Sequence, residues 1–323
     1  MNLGRIDLNL LRVFDAVFEE RNLLRAGKRL HLSQSAISHA LGRLREALQD
    51  DLFVRTARGM EPTARATAMA GPLRSALLQI QATLGAEPFE PQRAQRRFVV
   101  AANDYVSQLL LGHLGRRLGE LGPLVDLTIR PSTRLDLASQ IDIGHIDIAI
   151  GVFADLPVRF QALELWREGE SLVLRKGHPL ADRGIDRRAL AGYPLVTVSL
   201  GGQEEGAVGG FIMERGLARQ SEMFGRQALE DAYADAGTAP RVRIAVAHSL
   251  AIPALLRDTD MVALVPSQLA AEFARDGAFL ARAVPYEAPI SVVRAVWHRR
   301  NQQDPAHAWL RQQIAEVAGQ LPL

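Results

Sequence analysis

Apolar residues recur at three- and four-residue spacing in three short runs at the start of the chain. Leu10, Leu11, Phe14, Val17 and Phe18 form the first, with Asp7 placed to cap a helix. Asn22 can cap a second helix that carries Leu23, Ala26 and Leu30. His31-Leu32-Ser33 breaks the period, and Ser33 can cap a third helix whose stripe is Ile37, Leu41, Leu44 and Leu48. Two helices around so short a turn are the helix-turn-helix arrangement, in which the second enters the major groove. Its polar face bears Gln34, Ser35, Ser38, His39 and Arg43 toward the N-terminus, where such a helix meets base edges. The segment LFVRTARGMEPTA then reads as a strand, a turn at Arg58-Gly59 and a return stopped by Pro62. That is a hairpin wing carrying Arg55 and Arg58, both able to reach phosphate or the minor groove.

A long helix follows over 63–84. Ala66, Ala70, Leu73, Leu77, Ile80 and Leu84 alternate four and three apart, a heptad seam that predicts helix–helix association. Pro72 removes a backbone donor and predicts a kink. Residues 85–97, with Pro88 and Pro91, have no period and read as a hinge. Beyond it, FVVAA (98–102), VDLTIR (125–130) and HIDIAIG (145–151) are β-rich runs between helical stretches, the mark of βα units and a mostly parallel sheet. Further strand-like runs are SLVLR (171–175), PLVTVSL (194–200), RVRIAVA (241–247), MVALVP (261–266), FLARAV (279–284) and ISVVRAVW (290–297). An amphipathic helix with Trp309, Ile314 and Val317 ends the chain.

Composition sharpens this in three ways. The 323 residues suggest about two domains. The absence of cysteine removes disulfides, thiolate zinc sites and cysteine nucleophiles, and is compatible with a reducing cytoplasm. No apolar run approaches the roughly 20 residues of a membrane helix, and MNLGRIDLNLLRVF has no signal-peptide core, so a cytoplasmic protein with no membrane partner is expected. The net charge of +2 hides an asymmetry: from Arg21 to Arg65 nine basic residues face four acidic ones. A basic block on a slightly acidic body is the footprint of a nucleic-acid-binding domain joined to something else. Lys28 and Lys176 are the only lysines; genomic base composition accounts for most of that arginine excess.

The N-terminal block resembles the winged helix-turn-helix of LysR-type transcriptional regulators. Ala26, Leu30, Ser33, Gln34, Ala36, Ser38, Leu44, the Leu52-Phe53-Arg55 run and Pro62-Thr63 carry the resemblance, and SHALGRLR with LFVRTARGMEPT is similar to the branch of nodulation and aromatic-degradation regulators. The implied fold is α/β overall: a winged helix-turn-helix (1–62), a linker helix for dimerisation (63–84), a hinge (85–97) and a two-lobed periplasmic-binding-protein-like domain (98–323). Lobe one is expected over about 98–168 and 279–323, and lobe two over about 169–278. Four departures stand out: Asn22-Leu23-Leu24 in place of a small, Thr-containing helix start, Gly27 where Ala is usual, Pro72 in the linker, and a lobe connection lengthened over 203–240.

The resemblance implies a DNA-binding regulator using Ser33, Gln34, Ser35, Ser38, His39 and Arg43 in the groove and Arg55 and Arg58 on the wing. Its partners would be double-stranded DNA with an inverted-repeat operator, a second copy in a homodimer or homotetramer, a small carboxylate or aromatic effector, and RNA polymerase. Strand ends and helix starts facing the cleft are the expected effector contacts. These are Asn103, Asp104, Tyr105, Ser132, Thr133 and Arg134 in lobe one, and Thr197, Ser199, His248 and Ser249 in lobe two. Arg134 and His248 suit a carboxylate, whereas an inward Asp104 does not. Closure of the cleft on the ligand would shift the lobes. No metal spacing such as HExxH and no GxSxG elbow is present, so no cofactor and no catalysis are expected. The glycine-rich segment 201–210 lacks nucleotide-loop phasing and reads as a loop over the cleft. A solute-binding protein and a ligand-independent regulator are the alternatives.

Overall fold

A computed structural model describes residues 7–56, 59–83, 89–132, 136–200, 207–208 and 210–321. Two compact units part near residue 88.

The first unit opens with α1 (Leu8–Glu20), α2 (Leu23–Leu30) and α3 (Gln34–Leu48). The side chains of Asp7, Asn22 and Ser33 accept from the first-turn amides of these helices, satisfying donors a helix start leaves open. The turn between α2 and α3 is tight: His31 is left-handed at φ 55, and the Leu32 amide donates to the Gly27 carbonyl at 2.8 Å. A Cβ on Gly27 would lie 2.7 Å from the Leu32 carbonyl oxygen, which gives the glycine found there a steric reason. The stripes of the three helices close over Phe14, Phe18 and Phe53, with Phe14 ring centroids 6.1 and 5.4 Å from the other two. The wing is an antiparallel pair, β1 (Phe53–Thr56) and β2 (Gly59–Pro62). The Met60 amide pins it to the Arg21 carbonyl at 2.9 Å, an approach that needs glycine at 59, where φ is 120°.

Helix α4 (Ala64–Thr83) runs on through Pro72, so the proline does not end it. Ala66 (0% exposed) and Ala70 (3%) are buried in the core of this same domain, with Leu73 packed beside them. The first half of the expected dimerisation seam is therefore spent inside the chain; Ala66 and Ala70 are corrected to domain core. Leu77 is half-buried and Ile80 is 38% exposed, while Leu84 lies outside the described residues. Arg74 fixes the helix to α1: its Nε and Nη2 donate to Asp15 Oδ1 at 2.9 and 2.7 Å, and Nη2 reaches Glu19 at 2.6 Å.

The second unit has two five-stranded sheets. Lobe one contains β3 (Arg96–Ala102), β4 (Val125–Pro131), β5 (Ile148–Val152), β6 (Phe160–Glu168) and β15 (Ser291–His298) in the order β4-β3-β5-β15-β6. Lobe two repeats the plan with β7 (Glu170–Arg175), β8 (Leu195–Val198), β12 (Val242–Val246), β13 (Val262–Pro266) and β14 (Phe279–Ala283) in the order β12-β8-β13-β7-β14. In each, three parallel strands sit beside an antiparallel pair. Helices α5 (Asp104–Leu121), α6 (Leu137–Asp142) and α11 (Pro305–Ala318) belong to lobe one; α7 (Arg187–Ala191), α8 (Arg226–Asp235), α9 (Ile252–Leu256) and α10 (Ser267–Ala274) belong to lobe two. One apolar cluster runs through both lobes, from Phe98 and Leu114 to Val196 and Leu269.

One expectation is corrected here. Phe279–Ala283 pairs with β7, so lobe two extends through it and lobe one resumes only at β15. Within the lengthened 203–240 connection the described residues form a small sheet, β9 (Ala207–Val208), β10 (Phe211–Glu214) and β11 (Leu217–Gln220), followed by α8. Strand β6 has no counterpart in the sequence reading, because FQALELWRE mixes its alternation with helix-forming Ala, Leu and Glu.

His307 is fully buried; its Nδ1 accepts from Arg311 Nη1 at 2.7 Å, so its Nε2 donates to the Asp147 carbonyl at 3.1 Å. Burial, reinforced by Arg311, pushes its pKa from 6.5 down to about 4.

Arg74→Ala is expected to cost about 3 kcal/mol of unfolding free energy in the N-terminal domain, since it strands two carboxylates beside α1. Urea titration followed by far-UV CD checks it, since this domain has neither Trp nor Tyr, and a loss under about 0.5 kcal/mol would leave Arg74 no clamping role. Because the folded pKa of His307 lies below its unfolded 6.5, its contribution is complete above that pH and drains away toward about 4. It amounts to roughly 3 kcal/mol. Thermal melts from pH 7 to 4 should show a shallower decline in His307→Gln than in the parent.

Candidate DNA interface and inter-lobe cavity

The recognition surface is set by one helix. Burying Ile37, Leu41, Leu44 and Leu48 turns Gln34, Ser35, Ser38, His39 and Arg43 outward, and all five are exposed. Ser33 Oγ accepts from the Ala36 amide at 3.1 Å and lies 2.9 Å from Ser35 Oγ. The side chains of Gln34, Ser38, His39 and Arg43 make no hydrogen bond or ion pair to the described residues. Gly42, on the same face, has open space around it. On the wing, Arg55 is likewise exposed and unpaired, whereas Arg58 lies outside the described residues.

Five other arginines of the block bond their own chain. Arg45 donates to the Asp51 and Phe53 carbonyls at 2.7 and 3.0 Å, holding the wing to α3. Arg65 donates to the Leu48 carbonyl at 2.6 Å. Arg25 and Arg29 sit 3.5 and 3.6 Å from Glu20, and Arg21 lies 4.0 Å from Glu61. Charge counting alone does not separate these structural arginines from Arg43 and Arg55.

In the second unit the lobes meet around two small adjoining cavities of about 20 Å³ each. Each has room for little more than a water molecule. Asn103, Gly151, Val152 and Gln220 line both. The first also touches Tyr105, Glu168 and Glu170; the second touches Ser132, Phe153 and Arg219. A wider groove of about 870 Å³ shares Val152, Glu170, Gln220 and Ser291 with the first and opens to solvent. The two cavities are small as they stand, and the wider groove is the open part of the space between the lobes.

Of the expected effector residues, the structure brings Asn103, Tyr105 and Ser132 to these cavities. Asn103 also caps α5, accepting from the Val106 amide at 2.8 Å. Asp104 does not point into the cavity: its Oδ2 accepts from the Ser249 amide and hydroxyl, both at 2.6 Å, and from the Leu250 amide at 3.3 Å. Asp104 and Ser249 therefore form a latch between the lobes. Thr197 is buried inside β8, Ser199 pairs through its backbone with Glu222, and His248 is exposed away from the lining, so these three are corrected. Thr133, Arg134 and most of the 201–210 segment (201–206 and Gly209) lie outside the described residues.

The crossover from β6 to β7 supplies a feature with no sequence signature. Glu168 accepts from Tyr105 Oη at 2.5 and 2.6 Å, from Trp166 Nε1 at 3.1 Å and from the Gln268 amide at 3.3 Å. Glu170 accepts from the Gly225 amide and from Tyr286 Oη at 3.3 Å. Neither is paired with a cation among the described residues, and burial holds both carboxyls above their ordinary pKa.

Arg219 is the other residue missed. It is 4% exposed, and its Nη2 donates to Glu214 Oε1 at 3.2 Å. It stands on a strap that joins the lobes through backbone bonds. On one side the Ala154 amide donates to Ala218 at 2.9 Å and the Ala218 amide to Asp155 at 3.1 Å. On the other, the Leu200 amide donates to Ser221 at 2.7 Å and the Met223 amide to Val198 at 3.0 Å.

Among the described residues there is no group of His, Asp and Glu placed to hold a metal, and no helix long and apolar enough to cross a membrane. Comparison with known proteins places both units. Residues 8–67 match the bacterial regulatory helix-turn-helix protein, lysR family, and residues 91–319 match the LysR substrate binding domain. The chain is 31% identical over 319 residues to the transcriptional activator NagR of a Ralstonia species, covering 98% of this chain and 99% of that protein. It is also 31% identical over 319 residues to the activator NahR of Pseudomonas putida, with the same coverage. A solved probable transcriptional regulator from Pseudomonas aeruginosa is similar at a TM-score of 0.64 and 31% identity, over 97% of this chain and 98% of that one. Full-length OxyR from Pseudomonas aeruginosa, at 17% identity and a TM-score of 0.69 over 98% and 95%, shares the fold.

Asp104→Ala should open the latch without unfolding the lobes. Three bonds to one carboxylate oxygen are lost, and charge-assisted bonds contribute about 1.5–3 kcal/mol apiece at most. Amide exchange at Ser249 and Leu250 is expected to rise at least about tenfold while the α11 amides keep their protection. Unchanged exchange at those two amides would show that the latch holds nothing.

Proposed function

The chain belongs to the LysR family of bacterial transcriptional regulators, and from that premise we propose how this member divides the work. It is a sequence-specific DNA-binding regulator with an effector-binding domain, as the family is, and not an enzyme. Gln34, Ser35, Ser38 and His39 read base edges from α3, with Ser33 holding the start of that helix. Arg43 from α3 and Arg55 from the wing neutralise phosphates, and Arg58 extends the wing. The observation that carries this assignment is the exposed and unpaired row on α3 beside an equally unpaired Arg55, in a domain whose other arginines mostly bond their own chain.

Family members act as oligomers, and a second copy of this chain paired through the distal part of α4 would use Leu77 and Ile80 in place of the buried alanines. A two-fold dimer calls for an inverted-repeat operator with half-sites one or more helical turns apart. The relatives named activators support activation, with RNA polymerase as the partner of that step. The effector binds between the lobes, at the cavities lined by Asn103, Tyr105 and Ser132, and its affinity difference for shut and widened clefts sets the largest shift it can impose.

Fluorescence anisotropy on a panel of operator-like duplexes across a salt series separates the two classes of contact. Arg43→Ala or Arg55→Ala should weaken all duplexes alike and lower the salt slope by about one. Gln34→Ala or Ser38→Ala should instead reorder the duplexes at an unchanged slope. Identical behaviour of the two classes would sink this division, and no salt-sensitive binding at all would sink the DNA reading.

A further inference from the structure

We propose that the sugar–phosphate backbone of the bound DNA passes against the main chain of α3 at Gly42, nearer than any side chain would allow, so that this glycine sets how deep α3 sits in the groove. This rests on the reading that α3 faces DNA. Gly42 lies in the middle of α3, where a glycine disfavours the folded helix by a factor of about five relative to alanine. Nothing inside the chain asks for it. Its φ is on the ordinary negative side. A Cβ added there would meet nothing within 4 Å, whereas a Cβ on Gly27 in α2 would lie 2.7 Å from the Leu32 carbonyl oxygen. The requirement for glycine at 42 therefore comes from outside the chain.

Open space alone assigns no partner, since Gly112, Gly115 and Gly119 of α5 have it as well. Gly42 differs in its company. Around the helix axis it stands about 20° from Ser35, about 40° from Ser38 and about 60° from His39, all three exposed. Arg43, the next residue, is exposed too, and its side chain makes no hydrogen bond or ion pair to the described residues, which leaves a cation beside Gly42 for phosphate. From Ser35 to Gly42 the helix advances about 10 Å, and the major groove is about 12 Å wide. With Ser35 at the base edges, Gly42 is carried to the rim of the groove, where phosphates and deoxyriboses run. Glu46, one turn further on, is exposed and repels phosphate, so the close contact ends before it.

A methyl group at this position would hold α3 back from the DNA by about 1.5 Å, the length of one carbon–carbon bond. Hydrogen bonds to base edges do not survive stretching of that size. Gly42 thus weakens its own helix and lets the polar row on the same face reach its partners.

Duplexes selected from a random-sequence pool by the full parent chain are the probe, with affinity read by fluorescence anisotropy and stability by urea titration under far-UV CD. Gly42→Ala is expected to raise the folding equilibrium constant of the N-terminal domain about fivefold. The same variant should nevertheless bind every selected duplex at least about tenfold more weakly, in unchanged order of preference. Gly42→Leu, which reaches further, should weaken binding at least about 100-fold with the domain still folded. Arg43→Ala, measured beside them, separates the outcomes. Gly42 variants that bind like the parent while Arg43→Ala weakens binding overturn the close approach and leave the DNA-facing reading of α3 standing. Parent-like binding by all three variants overturns that reading as well. A Gly42→Ala domain less stable than the parent makes the glycine an internal requirement and overturns the proposal. A changed order of preference puts a base edge at Gly42 in place of the backbone, which also overturns it. A parent chain that retains no duplex from the pool overturns the DNA reading itself.

Discussion

A backbone that passes between two lobes has to satisfy its amides and carbonyls on both sides, and the stretch 217–223 does so within seven residues. Its first part completes the edge of lobe one at 153–155, and its last part completes β8 of lobe two. The rest of the effector domain is arranged around this bond pattern. It borders two small cavities between the lobes, carries Arg219 into one of them, and joins a core already continuous from Phe98 to Leu269. Any change in the separation of the lobes would have to break these specific hydrogen bonds.

Charge is handled differently at the two functional surfaces. In the N-terminal domain most arginines bond carbonyls or acids of their own chain, while Arg43 and Arg55, without partners among the described residues, face outward from α3 and the wing. Solvated cations of that kind have little effect on stability and are available for phosphate. In the effector domain the informative charges are buried: Arg219 at one end, Glu168 and Glu170 at the other. A buried charge is costly to leave unmatched, and each is held by its own chain: Arg219 by Glu214, Glu168 by Tyr105 and Trp166, and Glu170 by Tyr286.

How much was legible in the sequence depended on the range of the interaction. Caps at Asp7, Asn22 and Ser33, the three stripes and the hairpin are contacts across a few residues, and the local pattern announces them. The heptad seam was only half legible: spacing shows that Ala66 and Ala70 share a face with Ile80 but not that the first two meet Phe14's core while the last meets solvent. Asp104 and Ser249 were singled out as helix starts, correctly for position, but their hydrogen bond spans 145 residues and converts a ligand expectation into a latch.

The sequence by itself determined the two-part plan, the family, the outward polar face of α3 and the basic character of its domain, because periodicity, capping and spacing are properties of neighbouring residues. Only the tertiary structure decided which arginines are available, which lobe owns Phe279–Ala283, and that the cavity is bounded by Arg219, Glu168 and Glu170. Those residues come together because sheet pairing and the strap bring segments some 50 positions apart in the chain onto one cavity, and no local pattern encodes a contact closed at that distance.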